Sequence, residues 1–465
     1  MGWRDLMLFY VVVSLNVQWV QKAAVAGPSA VVIWIGACLL FYVPLCFAVL
    51  ELSSRYPHQG GIYVWTCRSF GRFPGFLTGW CYWCCNIPYY PLLLYFIAGL
   101  IPFLIGPSAQ HLASDPRYTI AVSLVGLTLC VALNLVGLNI GKWLQNAGAI
   151  GMWVPLALLL GVAVVAWSRF GSATPFTPKS FVPSTHLRDM IFWSTIAFGF
   201  AGVESASIMG EELDDHPRTI PRALLGAGVT IAALFIAGTV AVLVALPMGE
   251  VTALQGVPQA ITSAAVRIHA AWLAPIAVGF LIVGVLGQIG GWFAASARLP
   301  YAAAVDGVLP PVFGRLHPKW GTPHVAMLIQ AGVAVLVTVA GQAGTTVAGA
   351  YNLFLSASII IYFIPYLYLF ASLIRVQRDP VTSSVRQVPG GRPVAIACGI
   401  VGFTTTAISL FLAGVPGADE KNPTLYLAKL VGFSVLVVLI GGAIYAVSVL
   451  RRVTQRTEHL GVESR

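Results

Sequence analysis

Glu204 is the side chain whose position alone most suggests chemistry. It closes Phe198-Gly199-Phe200-Ala201-Gly202-Val203-Glu204, a glycine-bearing interruption in an apolar stretch long enough to cross a bilayer, and it is the carboxylate set well inside such a stretch. An ionisable group at that depth costs free energy unless it is used or satisfied, so it reads as a proton-sensing or gating group. The bland alternative is a structural carboxyl held by backbone amides. A second interruption, Ser14-Leu15-Asn16-Val17-Gln18, offers three polar side chains that can hydrogen-bond a bound molecule or tie helices together. Lys22, further along the same stretch, could pair with Glu204, attract an anion, or extend its ammonium towards the surface.

These residues need elements that can hold a polar break in hydrocarbon. Every peptide group there must find a partner, so a weakened helix at mid-depth is tolerated only where protein surrounds it or a cavity adjoins it. Paired breaks in corresponding positions point to a transport site. Composition agrees: of 465 residues 58% are hydrophobic and 9% charged, against about 25% charged in a soluble domain. Marking stretches of about 20 apolar residues gives roughly twelve spans and leaves no room for a soluble domain. The expectation is an all-α polytopic membrane protein of one domain. Each broken span opens a block of five, residues 5–168 and 188–373, and the two last helices, 393–450, follow a basic linker from Arg375 to Arg392. Five is odd, so the second block starts from the opposite side and the two blocks form an inverted repeat.

Lys and Arg in the connecting loops set orientation. With the N-terminus cytoplasmic, eighteen of the 26 Lys and Arg fall on that side, so both termini are expected in the cytoplasm of a cell-membrane protein. The net charge of +10 needs no nucleic-acid partner, because loops facing anionic lipid account for it. The eight cysteines lie in or beside spans; Cys81, Cys84 and Cys85 read as small buried hydrophobes rather than a metal cluster. No metal or cofactor is expected. The histidines sit in loops or at span ends, which argues against a mid-membrane proton relay or a membrane enzyme. Rings of pore-lining charge, the mark of a channel, are missing from the sequence. The start, Met1-Gly2-Trp3-Arg4-Asp5, reads as the approach to a first span rather than a signal peptide.

Three segments carry a family resemblance. Glu51-Leu52-Ser53-Ser54-Arg55-Tyr56-Pro57-His58-Gln59-Gly60-Gly61-Ile62-Tyr63-Val64-Trp65, continuing through Phe70-Gly71 and Phe76-Leu77-Thr78-Gly79-Trp80, resembles the signature after the second helix of amino acid–polyamine–organocation permeases. Gly202-Val203-Glu204-Ser205-Ala206-Ser207 is similar to their sixth-helix segment, and Arg298 to Pro311 followed by Thr322-Pro323 to the exit of the eighth. The first loop looks like that of the glutamate/GABA antiporter branch, the sixth-helix segment like that of the arginine/agmatine antiporter.

The resemblance implies a twelve-helix, LeuT-type 5+5 inverted-repeat carrier with discontinuous helices one and six and two extra C-terminal helices. Its substrate would be an amino acid or related amine, moved by exchange or with a proton. Half-helix N-termini present amides to a carboxylate, which places the amides after Asn16 and those of Phe200, Ala201, Gly202 and Val203 at the substrate. Val13-Ser14-Leu15-Asn16 departs from the Gly-Ser-Gly type run of many members, so the first break is expected to be shorter or lined by Ser14, Asn16 or Gln18 side chains. Phe198 and Trp292 align with aromatic positions that, in similar antiporters, pack over the amine end of the substrate or close its path; Ser356, Ser358 and Asn86 are further candidates. Span five, Gln145 to Trp167, lacks the Lys found in some related proton symporters and leaves exchange or coupling through Glu204 as the simpler scheme. A polyamine or monoamine permease of the same fold is the alternative, and a channel the remote one.

Overall fold

The computed structural model describes residues 7, 10, 11, 14–56, 61–136, 138–186, 189–204, 216–305, 309–380, 385–417, 420 and 422–462. Pro57 to Gly60, Ser205 to Ser207 and the Asp306-Gly307 turn, all parts of the motifs above, lie outside the described residues. Regular structure among the described residues is helical. In chain order the helices are α1 (Val17–Ala24), α2 (Ser29–Arg55), α3 (Gly61–Phe70), α4 (Arg72–Ile105), α5 (Pro116–Leu135), α6 (Leu138–Phe170) and α7 (Ile191–Gly199). There follow α8 (His216–Ala245), α9 (Gly256–Arg267), α10 (Leu273–Val305), α11 (His324–Gln342), α12 (Val347–Val376), α13 (Gly391–Ala413) and α14 (Pro423–Val462).

Ten of the described helices contain a stretch long and apolar enough to cross a membrane. The helices α1 and α7, of 8 and 9 residues, are too short at 1.5 Å per residue to do so alone. They lie where the sequence places the first and sixth spans; residues 205–215, which follow the second break, lie outside the described residues.

Packing follows a five-plus-five scheme. The helices α1, α2, α4, α5 and α6 have as counterparts five spans later α7, α8, α10, α11 and α12, and contacts come in matched pairs. Thus α6 packs on α10 as α12 packs on α4, α1 on α8 as α7 on α2, and α5 on α10 as α11 on α4. The short helices α3 and α9 hold equivalent places after the second and seventh spans.

The contact of α6 with α10 depends on glycine. A Cβ on Gly151 would stand 2.4 Å from Gly284 N and 2.6 Å from Phe280 O, and one on Gly148 2.7 Å from Gly287 Cα. Without a hydrophobic drive between helices in lipid, such small residues let backbones approach and gain dispersion energy.

The loop signature has a structural explanation too. Glu51, at the end of α2, is 0% exposed and accepts hydrogen bonds from Arg55 at 2.8 Å, Gln377 Nε2 at 2.7 Å and Val388 N at 3.0 Å. It is a second buried carboxylate beside Glu204, and it fastens the linker between α12 and α13 to the second span.

Candidate functional site

The first break is two residues long. Leu15 and Asn16 leave the helix, and Asn16, extended at φ −137° and ψ 119°, caps α1 by accepting Gln18 N at 3.0 Å. An asparagine cap satisfies one of the amides that open a helix. Its Nδ2 then donates to Tyr89 Oη at 3.3 Å on α4 and to Gln288 Oε1 at 3.2 Å on α10, while Gln288 Nε2 donates to Tyr89 Oη at 3.2 Å. This short, side-chain-lined break is the form expected from Val13-Ser14-Leu15-Asn16.

The second break begins where α7 ends at Gly199. Gly202 has φ +110°, a left-handed conformation that side chains rarely adopt. Its amide donates to Glu204 Oε2 at 3.1 Å and to Tyr366 Oη at 3.0 Å. Glu204 is 1% exposed and draws in three phenols: Tyr82 at 3.0 Å and Tyr362 at 2.7 Å on Oε1, and Tyr366 on Oε2. Tyr82 belongs to α4, Tyr362 and Tyr366 to α12, so one carboxylate joins the broken span to two continuous ones. A buried anion is costly unless hydrogen-bonded, and these donors bear on both of its oxygens.

The other expected residues divide. Phe198 and Ala201 are partly exposed beside the second break, and Phe198 packs edge-on against Trp19 at 5.1 Å and Tyr362 at 5.4 Å. Trp292 is partly exposed on α10, one turn beyond Gln288; among the described residues no ring pair joins it to Phe198. Ser14 Oγ and both amide atoms of Gln18 are buried without a hydrogen-bond partner among the described residues. Lys22 Nζ donates to Asn352 Oδ1 at 2.6 Å, tying α1 to α12.

Ser356 faces away from the breaks, its Oγ accepting Tyr426 Oη of α14 at 2.7 Å. Ser358 Oγ, two residues on and so on the opposite side of α12, is buried and unpartnered among the described residues. Asn86 spends its amide on the carbonyls of Tyr82 and Trp83, where α4 steps at Cys85.

Tyr82, Tyr89, Gln288, Tyr362 and Tyr366 were not anticipated. Their signals are present in the sequence: Tyr82 and Tyr89 are seven apart and Tyr362 and Tyr366 four apart, each pair on one helix face, and Gln288 is an amide inside an apolar run.

Comparison with known proteins agrees with this geometry. Residues 6–451 match the amino acid permease family. An uncharacterised transporter of Legionella pneumophila is 25% identical over 441 residues, covering 94% of each chain. A protein named as a probable agmatine/putrescine antiporter of Lactococcus lactis is 23% identical, over 90% of this chain and 88% of its own. The glutamate/gamma-aminobutyrate antiporter of the same bacterium is 25% identical, over 86% and 81%. With a family match across nearly its whole length and two polar breaks inside a bundle of apolar helices, this chain belongs to the amino acid permease family of multi-pass membrane transporters.

Proposed function

We propose that this transporter is a secondary carrier of amino acids in the cell membrane, with both termini cytoplasmic, working by alternating access between inverted repeats over residues 5–168 and 188–373. It exchanges one substrate for another or couples movement to a proton at Glu204. The carrying observation is the Glu204 cluster, in which one carboxylate receives Tyr82, Tyr362, Tyr366 and the Gly202 amide from three separate elements. A proton on either carboxylate oxygen removes acceptor capacity, so a donor must turn away and the contact between α7 and its neighbours changes. Protonation thereby biases a two-state element, which is what gating requires.

The agmatine/putrescine relative keeps a diamine in view as a second substrate class. Against it, a diamine brings two ammonium groups, and the carboxylate at the breaks already lies within a shell of donors. Counterflow in proteoliposomes tests the carrier reading. Uptake of a labelled amino acid is expected to rise when unlabelled substrate is trapped inside, whereas flux indifferent to internal substrate would indicate a channel. A panel of amino acids and amines competing for that uptake identifies the substrate.

A further inference from the structure

The cap at Asn16 determines the orientation of every group around it. Because Oδ1 must accept Gln18 N–H, Nδ2 points the other way, to Tyr89 Oη and Gln288 Oε1. Gln288 therefore presents Oε1 to Asn16 and Nε2 to Tyr89. Tyr89 Oη then accepts twice, from Asn16 and from Gln288, and its own proton has no acceptor among the described residues. Gln288 Nε2 carries two protons and spends one. The triad thus leaves two donors, the Tyr89 O–H and the second Gln288 N–H, without an acceptor among the described residues, and both side chains are partly exposed although they arise within spans.

Of the amides that the resemblance assigns to a carboxylate, those of Gln18, Phe200, Ala201 and Gly202 are taken up by the protein itself: Gln18 N–H by Asn16, Phe200 and Ala201 N–H by the carbonyls of Ala197 and Phe198, and Gly202 N–H by Glu204 and Tyr366. We propose that Tyr89 and Gln288, oriented by Asn16, form the subsite that receives a carboxylate of the substrate. This rests on the carrier reading above and deepens it by naming the group recognised. Two donors on adjacent side chains offer an ammonium no acceptor and suit an anionic oxygen pair. Trp292, four residues beyond Gln288 and on the same face of α10, offers a π-face to an ammonium attached to the same molecule. The subsite is neutral, so it admits a zwitterion and gives a plain diamine nothing for its second end.

Counterflow competition with matched pairs tests this, each L-amino acid against the amine left by removing its α-carboxylate: arginine and agmatine, ornithine and putrescine, leucine and isopentylamine. The wild type is expected to favour the amino acid at least tenfold, and Tyr89→Phe and Gln288→Met are each expected to reduce that preference about tenfold, the effect of one hydrogen bond to a charged group. The two variants are read separately, with folding checked by thermal unfolding in detergent. An amine competing as well as its amino acid overturns the subsite, as does a preference unchanged in either folded variant. A wild type that exchanges no member of any pair contradicts the carrier reading itself, and the subsite with it.

Discussion

Helix α4 sends paired side chains to two different polar networks, and the contrast between them is one of chemistry: the first is neutral throughout, the second holds a carboxylate. Trp83 and Tyr90 point to α10 and α11: Trp83 Nε1 donates to Gln330 Oε1 at 2.9 Å, Gln330 Nε2 to Tyr90 Oη at 2.9 Å, and Tyr90 meets Ser296 Oγ at 2.8 Å. Tyr82 and Tyr89, one position earlier and so turned about 100° around the helix, point to the broken spans and meet Glu204 and Asn16. The Gln330 network is neutral, joins unbroken helices and is buried at every member. The Glu204 network holds a titratable group, joins a broken helix, and includes the partly exposed Tyr82. A satisfied neutral network can only hold helices together, whereas one that contains a carboxylate can be switched.

Breaking the scaffold should have the largest effect. Gly151→Val forces a side chain into the backbone of α10 at 2.4 Å, and separating α6 from α10 is expected to cost more than about 3 kcal/mol, the upper range of overpacking. Little folded protein should be recovered, as measured by monodisperse yield in detergent. Next, Gln330→Leu strands the Trp83 N–H in the interior and takes away the donor that Tyr90 Oη accepts, while Tyr90 keeps its bond to Ser296; the group left unsatisfied costs about 1–3 kcal/mol. The midpoint of thermal unfolding should fall by the same amount at every pH between 5 and 8, since no titratable group in that range belongs to the network. A strongly pH-dependent loss would remove the distinction between the two regions.

Gly202→Ala sharpens the comparison at the other network. A side chain at φ +110° costs about 1–3 kcal/mol. Because the strain falls on the break, transport should drop more than the unfolding midpoint does. Equal losses in both would make the break an ordinary structural turn. The smallest effect is expected at Phe198: Phe198→Ala should weaken substrate binding by about 0.5–2 kcal/mol if the ring covers an ammonium, measured by competition, with insertion unchanged.

Much of this arrangement was legible in the sequence. Hydropathy marks the ten continuous spans because lipid imposes one length and one composition on each. Both breaks were visible because polar residues and glycine inside such a run have few other uses. The partners of Glu204 were not, since tyrosine among 16 tyrosines and 24 phenylalanines reads as one more aromatic until the neighbouring helix is known. Ser356 and Ser358 show the same limit: two residues apart on a helix, they face opposite ways, and only the position of α14 decides which one Tyr426 occupies. Asn16 was recognised as polar, but its role as a cap that aims Gln288 and Tyr89 depends on α4 and α10 meeting beside it.

The central claim is that protonation of Glu204 switches the broken sixth span. Counterflow measured across pH in wild type and Glu204→Gln tests it most directly, because the amide keeps size and much of the hydrogen bonding while removing the titration. Wild-type transport is expected to change through a single titration and the variant to show a flat profile at comparable protein recovery. A well-folded Glu204→Gln protein whose profile keeps the wild-type shape would contradict the account.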